Sequence, residues 1–279
     1  MRLDLAIRQA TERLQGGARG DARLDAETLL MHVLSRDRAS LYAYPELELT
    51  PEELSRYNGM LERRLGGEPL QYITGHQEFW GLDLVVNPSV LIPRPETEHA
   101  VETALELLRR VEAPHIIDVG TGSGCIALAL ASELERADVR AVDRSGAALE
   151  VARLNARRLG LERIRFAQSD LLAACLPTGP AFDLVISNPP YVGEREADKL
   201  PIEVREHEPH GALFAGEEGL DIYRLLIPQA APVLKPGGWL VLEMGYSQEP
   251  SLRELLDDWD EVRCVRDLQG IPRVIAARR

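Results

Sequence analysis

The sequence predicts an α/β fold: a doubly wound, mostly parallel sheet, with a small helical domain before it and a β-hairpin joining the two. Three observations predict it. From about residue 114, short apolar runs alternate with helical spacings, the order that gives parallel strands and crossover helices. A Gly-rich stretch, Asp118-Val119-Gly120-Thr121-Gly122-Ser123-Gly124, falls where the first of those strands meets its helix. Before residue 75 the apolar residues recur at helical spacing.

Leu3, Ile7, Ala10 and Leu14 share one helical face, and Gly16-Gly17 ends that helix. Leu24, Thr28, Met31 and Leu34 repeat the spacing in a second. Thr50-Pro51-Glu52-Glu53 opens another, with Thr as N-cap, Pro at the first helical position and Glu at the third. Its stripe is Leu54, Tyr57, Leu61 and Leu65, and Gly66-Gly67 stops it. These helices set a domain over residues 1–75. Residues 76–95 read as a hairpin linker, with Phe79, Trp80, Leu82, Leu84, Val85 and Val86 strand-like and Gly81 and Asn87-Pro88 as turn signals. The third region, 96–279, begins with a helix started by Glu96 or Thr97 and carried through Val101, Leu105 and Leu108.

Strands are then expected at His115 to Val119, Val139 to Val142, Ile164 to Ala167, Phe182 to Ser187 and Trp239 to Met244. Helices are expected at Gly124 to Leu134, Ala147 to Leu159 and Leu220 to Val233. Glu261 to Arg266 and Arg273 to Ala277 flank Gly270 as a closing hairpin. Asn155 falls mid-helix and calls for no function.

The chain has 279 residues, 45% of them apolar, enough for a sizeable core, and a formal net charge of −13. That balance disfavours a protein built to hold duplex nucleic acid, where basic patches are expected. Cys125, Cys175 and Cys264 are odd in number and widely spaced, which points to a reducing compartment without a disulfide framework or metal cluster. His207 and His210 flank Glu208-Pro209 with no third ligand near in sequence, and no metal is expected. The charged start, Met1 to Arg8, does not read as a signal peptide, and no apolar run has the length of a membrane span. A monomer in the cytoplasm, with no membrane and no direct nucleic-acid contact, is the expectation.

The candidate chemistry sits at strand ends. Asn188-Pro189-Pro190-Tyr191 follows the apolar strand 182–187, which the two prolines terminate because neither donates to a ladder. Open α/β sheets bind ligands at that end of their strands. There the Asn188 side-chain oxygen and the Pro189 carbonyl suit the N–H protons of a planar amide or amino group, with the Tyr191 ring on its flat face. The Gly-rich loop has G-x-G-x-G spacing, one place short of the dinucleotide fingerprint, and lacks the lysine of a phosphate loop. Asp118 would repel a pyrophosphate and suits an amino group or a sulfonium. Asp143 ends the second strand, where a carboxylate takes both ribose hydroxyls. Asp170 ends the third, with Leu171 placed to contact an adenine edge and face. Arg94 and Glu96 either line the entrance or pair at the surface. Glu243, at another strand end, falls near the site, although a charge there is more often solvated.

This combination resembles the class I S-adenosylmethionine-dependent methyltransferases, whose domain is Rossmann-like. Asn-Pro-Pro-Tyr narrows the resemblance to enzymes that methylate a planar nitrogen: adenine N6, guanine N2 or glutamine N5. Gly75 to Gly81, Val90 to Glu98, Glu208-Pro209 with Ala212-Leu213, and Asp267 to Val274 all look like the PrmC/HemK family. The resemblance extends over the whole chain, helical domain and hairpin included. It implies S-adenosyl-L-methionine as methyl donor, bound at Gly120, Thr121, Gly122, Ser123, Gly124, Asp143, Asp170, Leu171 and Asn188. It implies catalysis at Asn188, Pro189, Pro190 and Tyr191, and as substrate the glutamine of a Gly-Gly-Gln motif in peptide chain release factors. Leu171 stands where some relatives carry an aromatic residue. A nucleic-acid base methyltransferase using the same four residues is the alternative, and a non-catalytic protein that keeps the cofactor fold is a third reading.

Overall fold

The computed structural model describes residues 1–15, 21–176 and 179–279. Five helices come first: α1 (Leu3–Gln15), α2 (Ala22–Leu34), α3 (Arg38–Ala43), α4 (Pro51–Leu65) and α5 (Leu70–Thr74). The hairpin strands β1 (His76–Phe79) and β2 (Leu82–Val85) follow, then α6 (Glu98–Leu108), entered through a 3-10 turn at Pro95–Thr97. The alternating region runs β3 (His115–Val119), α7 (Cys125–Glu133), β4 (Asp138–Asp143), α8 (Gly146–Arg158), β5 (Arg165–Gln168) and β6 (Phe182–Ser187). After a 3-10 segment at Glu194–Lys199 come α9 (Ile202–His207), α10 (His210–Leu213), α11 (Asp221–Val233), β7 (Leu234–Glu243), α12 (Glu249–Leu255), β8 (Glu261–Arg266) and β9 (Pro272–Arg278). The short elements α3, α5, α9, α10 and α12 were not expected from the sequence; each spans seven residues or fewer, too short for an apolar period to show.

The chain divides into two compact units. The first is Met1–His76 together with Pro201–His207, so α9 joins the helices although it lies far along the chain. Arg64 explains the attachment: its Nε donates to Asp25 at 2.7 Å and its Nη1 to Glu203 at 2.7 Å. The capping box at α4 is complete, with Glu53 N donating to Thr50 Oγ1 at 3.2 Å and Thr50 N to the Glu53 carboxylate at 2.8 Å. The stop assigned to Gly16-Gly17 lies outside the described residues. The stripe assigned to α2 is wrong. Leu24 is exposed, and the buried residues are Ala22, Asp25, Ala26, Glu27, Leu29, Leu30 and Val33. Glu27 goes inside because Arg23, Arg38 and Tyr42 all donate to its carboxylate, and Asp25 because of Arg64. These ion pairs let Asp25 and Glu27 share the inner face with Leu29 and Leu30.

The second unit holds the sheet, in the order β5-β4-β3-β6-β7-β9-β8, with β9 antiparallel to both β7 and β8. Its central strands β3 and β6 bury apolar residues on both faces, as strands covered on both sides do. Ile116, Leu184, Val241 and Ala276 pack into one core and Ile117, Val185, Leu240 and Ile275 into the other. The chain moves outward from β3 to β5 and then returns to β6 on the far side of β3. The strand order therefore reverses between β3 and β6, the topological switch where open sheets form their ligand crevice. Val119 is in register with Val142 and with Ser187, so residues 120, 143 and 188 emerge at one edge. In the hairpin, Trp80 and Gly81 both take positive φ, 55° and 69°, as two-residue loops between antiparallel strands demand.

Asn155 proves to be a brace. It is fully buried on α8; its Oδ1 accepts from Val85 N at 2.8 Å, while its Nδ2 donates to the carbonyls of Val85 (3.0 Å) and Ser123 (2.9 Å). One side chain thus ties β2 to the Gly-rich loop. Asn155→Ala strands three backbone groups and is expected to cost on the order of 3 kcal/mol. A lowered denaturant midpoint at unchanged slope is the measurement that checks it.

Candidate active site

The loop after β3 is shaped by its backbone. Gly120 and Thr121 donate their N–H groups to the Val142 carbonyl at 2.8 and 3.0 Å, and Gly122 donates to Asp143 Oδ2 at 2.9 Å. Asp143 also takes the Ser145 N–H on Oδ1 at 2.8 Å, so this strand-end carboxylate holds two loops. Gly120 and Gly122 have φ of 74° and 55°; a Cβ on Gly120 meets nothing within 4 Å, and one on Gly122 only the Gly120 carbonyl at 4.0 Å. Both glycines therefore open onto free space. Gly124 differs. A Cβ there would lie 3.1 Å from Leu128 Cδ1 and 3.3 Å from Ala152 Cβ, so this glycine lets α7 and α8 approach.

A cavity of about 320 Å³ occupies the crevice. Gly120, Thr121, Gly122, Ser123, Asp143, Asp170, Leu171, Asn188 and Pro190 line it, whereas Gly124, Pro189 and Tyr191 do not. Leu171 sits at φ 48°, a strained backbone for a leucine, beside Asp170. The other wall comes from Leu91, Pro93 and Thr97 and from Pro209, Gly211 and Ala212. Glu208 joins these two segments: its buried carboxylate accepts from Ile92 N at 3.1 Å and from Arg94 Nη2. Arg94 thus serves the wall, and Glu96 pairs at the surface with Arg273 at 3.6 Å. Asp118, expected to face a ligand, lies beneath the loop. It accepts from Thr121 Oγ1 at 2.6 Å, its Oδ1 has no partner, and burial pushes its carboxyl up to about 7.

Around the Asn-Pro-Pro-Tyr segment the structure places groups that the sequence did not rank. Asn188 Nδ2 donates to Thr97 Oγ1 at 3.0 Å. Tyr191 turns its hydroxyl to Glu243 Oε1 at 3.3 Å. Its carbonyl accepts from Gln248 Nε2 at 2.9 Å, and the same nitrogen reaches the Gly219 carbonyl at 3.1 Å. A Cβ on Gly219 would sit 2.1 Å from the Tyr191 carbonyl oxygen, so glycine is required behind the tyrosine. Glu243 is not solvated: it is 2% exposed, and burial pushes its carboxyl up to about 7. Glu243 Oε2 has no hydrogen-bond partner. Sequence carried one signal for Glu243, its position at a strand end like Asp143, and none for Thr97 or Gln248. Among the described residues no three His, Cys, Asp or Glu side chains gather as metal ligands.

This geometry offers a glycine cradle with two carboxylates on one side, and on the other an amide whose nitrogen is already spent. Residues 6–75 match the family described as PrmC N-terminal domain, and residues 95–203 the family described as Methyltransferase small domain. A release factor glutamine methyltransferase from Koribacter versatilis is 51% identical over 100% of this chain and 99% of its own length. One from Geobacter sulfurreducens is 45% identical over 92% of this chain and 90% of its own. Among solved structures, a methyltransferase from Pyrococcus furiosus superposes with TM-score 0.51 at 18% identity, covering 71% of this chain and 89% of that one. The hMettl16 catalytic domain, in complex with MAT2A 3'UTR hairpin 6, gives 0.58 at 17%, covering 83% of each. At these identities the structural likeness speaks for the fold alone.

Proposed function

We propose, from the premise that the chain belongs to the family of release factor glutamine methyltransferases, that it methylates the side-chain nitrogen (N5) of the Gly-Gly-Gln glutamine in peptide chain release factors. The methyl donor is S-adenosyl-L-methionine, which when bound supplies a methyl group activated on a sulfonium sulfur. The observation that carries the reading is the state of Asn188. Its Nδ2 is committed to Thr97, which leaves Oδ1 as the atom to accept an N–H from an incoming amide.

The cradle fits the donor. The two glycines whose missing Cβ atoms open onto the cavity let a ligand lie against backbone, and Asp143 and Asp170 line the same space with carboxylates suited to ribose hydroxyls and an adenine edge. Leu171 gives an apolar face. On the substrate side, an amide nitrogen is a weak nucleophile because its lone pair is delocalised into its carbonyl. Asn188 Oδ1 and the Pro189 carbonyl, each accepting one N–H, hold that nitrogen in line with the methyl group and favour the charge that develops on it. Selection of a release factor over any other NH₂ group falls to surfaces beyond the slot, and we assign part of it to the helical residues 1–75. An intact release factor is then a far better substrate than a short Gly-Gly-Gln peptide, since remote contacts supply binding and orientation.

Asp143→Ala is expected to weaken S-adenosylmethionine binding by about 1–3 kcal/mol, the range for charge-assisted hydrogen bonds lost from a ligand. Titration calorimetry checks it, and unchanged affinity removes Asp143 from the donor site. The whole reading is tested by incubating the enzyme with labelled donor and, separately, release factor, its Gln→Ala variant, duplex DNA and ribosomal RNA. Label is expected in the unmodified release factor alone, with one methyl placed on the glutamine side chain by mass spectrometry. Label in DNA or RNA and none in protein transfers the same chemistry to a nucleic-acid base.

A further inference from the structure

Pro189 and Pro190 have no N–H, so neither can anchor itself by donating a hydrogen bond. The Pro189 carbonyl, one of the two acceptors assigned to the substrate amide, is therefore placed by whatever holds the chain on either side of it. Before the prolines that is the sheet. Ser187 is in register with Val119 and with Leu242, and its Oγ donates to the Val119 carbonyl at 2.6 Å. After them, the Tyr191 carbonyl is held by Gln248 Nε2 at 2.9 Å.

Gln248 is buried and does not line the cavity. Its Nε2 also donates to the Gly219 carbonyl at 3.1 Å, and its Oε1 accepts from Gly245 N at 2.9 Å. These partners fix the direction of the amide, since the two carbonyls only accept and the backbone N–H only donates. They also call for this residue type. One neutral nitrogen with two protons answers both carbonyls, whereas a hydroxyl has a single proton and an ammonium would bring an unpaired buried charge. The space around the Tyr191 carbonyl is closed: a Cβ on Gly219 would lie 2.1 Å from its oxygen and 2.9 Å from Gln248 Nε2. Gly245, at the other end of the amide, lies against the tyrosine ring, where a Cβ on it would be 3.5 Å from Cδ2. One side chain thus grips Tyr191 at its backbone and supports the edge of its ring. We propose that Gln248 is a positioning residue of this reaction: it holds the Asn-Pro-Pro-Tyr segment from its C-terminal side, and so keeps the Pro189 carbonyl and the Tyr191 ring in place for the substrate amide. Without it two carbonyl oxygens are left with no proton between them, and the Tyr191 peptide turns to find another donor, carrying the prolines with it. The kinetic consequence rests on the glutamine-methylation reading, which it deepens; the structural consequence does not.

The structural consequence is read without any substrate. In the full-length protein with ¹³C-labelled tyrosine, the Tyr191 ring signal is assigned by its disappearance in Tyr191→Phe. Gln248→Met, which keeps the length of the side chain and removes its hydrogen bonds, is expected to move that signal. So is Gly219→Ala, which sets a methyl group against the same carbonyl. Gly160→Ala is the control: with φ 69° and nothing within 4 Å of its Cβ, it carries backbone strain alone and leaves the signal in place. A Tyr191 signal unmoved in both Gln248→Met and Gly219→Ala overturns the proposal, whatever the enzyme methylates. The kinetic arm expects Gln248→Met to lower kcat on release factor on the order of 10- to 100-fold, with KM for S-adenosylmethionine unchanged. A parental kcat, or a loss that appears only in that KM, overturns the proposal. In a Gly219→Ala background Gln248→Met costs less than it does alone, because both changes displace one carbonyl. Fully additive losses overturn it. Should Gln248→Met not fold, Gly219→Ala against Gly160→Ala decides on its own: equal kcat for the two overturns it. Failure of the wild-type enzyme to label release factor sinks the functional reading instead, and the spectra still decide this one.

Discussion

Asn188→Ala is expected to lower kcat for glutamine methylation on the order of 100-fold or more, while the fold and most of the donor affinity survive. The argument starts from β6. Phe182 and Leu184 to Ser187 are buried, the apolar ones in both cores, and the prolines stop the ladder at residue 188. Asn188 therefore leaves the sheet at a fixed point, half-exposed and lining the cavity, with its amide directed by Thr97. Removing it takes away one of two acceptors for the substrate N–H protons. The amide nitrogen is then free to rotate away from the methyl group, and its developing charge loses a partner. Neither loss touches the loop at Gly120 or the carboxylate of Asp143. Single-turnover rates with saturating donor separate chemistry from binding, and a variant that methylates at the parental rate removes the amide clamp from the mechanism.

Much of this was legible in the sequence because the second unit is regular. β3 and β6 run over the residues expected of them, and the other parallel strands and their helices differ from expectation by a few residues at their ends, with β7 beginning five residues early at Leu234. Parallel strands buried on both faces are continuous apolar runs, and their ends carry the site, so Asp143, Asp170 and Asn188 announce themselves by position. What was not legible depends on contacts across long separations. Glu243 reads as a solvated strand-end charge until its burial is seen and Tyr191, distant in sequence, is found donating to it. Gln248 fixes Tyr191 across 57 residues, Glu208 holds Ile92 and Arg94 from more than a hundred residues away, and Asn155 looks idle until Val85 is beside it. The inner face of α2 misled for a related reason: apolar counting favours Leu24, but Arg23, Arg38 and Arg64 make it possible to bury Asp25 and Glu27 in its place.

Gly122→Val is expected to abolish measurable binding of S-adenosylmethionine. Two effects act together. Gly122 has φ 55°, and a β-branched residue there costs on the order of 1–3 kcal/mol in backbone strain. Its Cβ also projects into open space, with the Gly120 carbonyl at 4.0 Å as its nearest neighbour, so the two added methyl groups stand where a ligand must lie against the backbone. The strained loop would relieve itself by pulling Gly122 N away from Asp143 Oδ2, now 2.9 Å apart, and so release the carboxylate meant for the ribose. Gly160 supplies the control. It has φ 69°, a Cβ placed on it would meet nothing within 4 Å, and it has no place in the cavity lining, so Gly160→Val carries the strain without the obstruction. Calorimetry on the two variants, with circular dichroism to verify folding, is expected to find donor affinity lost in Gly122→Val and kept in Gly160→Val. Parental affinity in the folded Gly122→Val variant would place the donor elsewhere than on the Gly120 to Gly124 loop. Equal loss in both would mean that strain alone, and not access to the backbone, is what the glycine at 122 relieves.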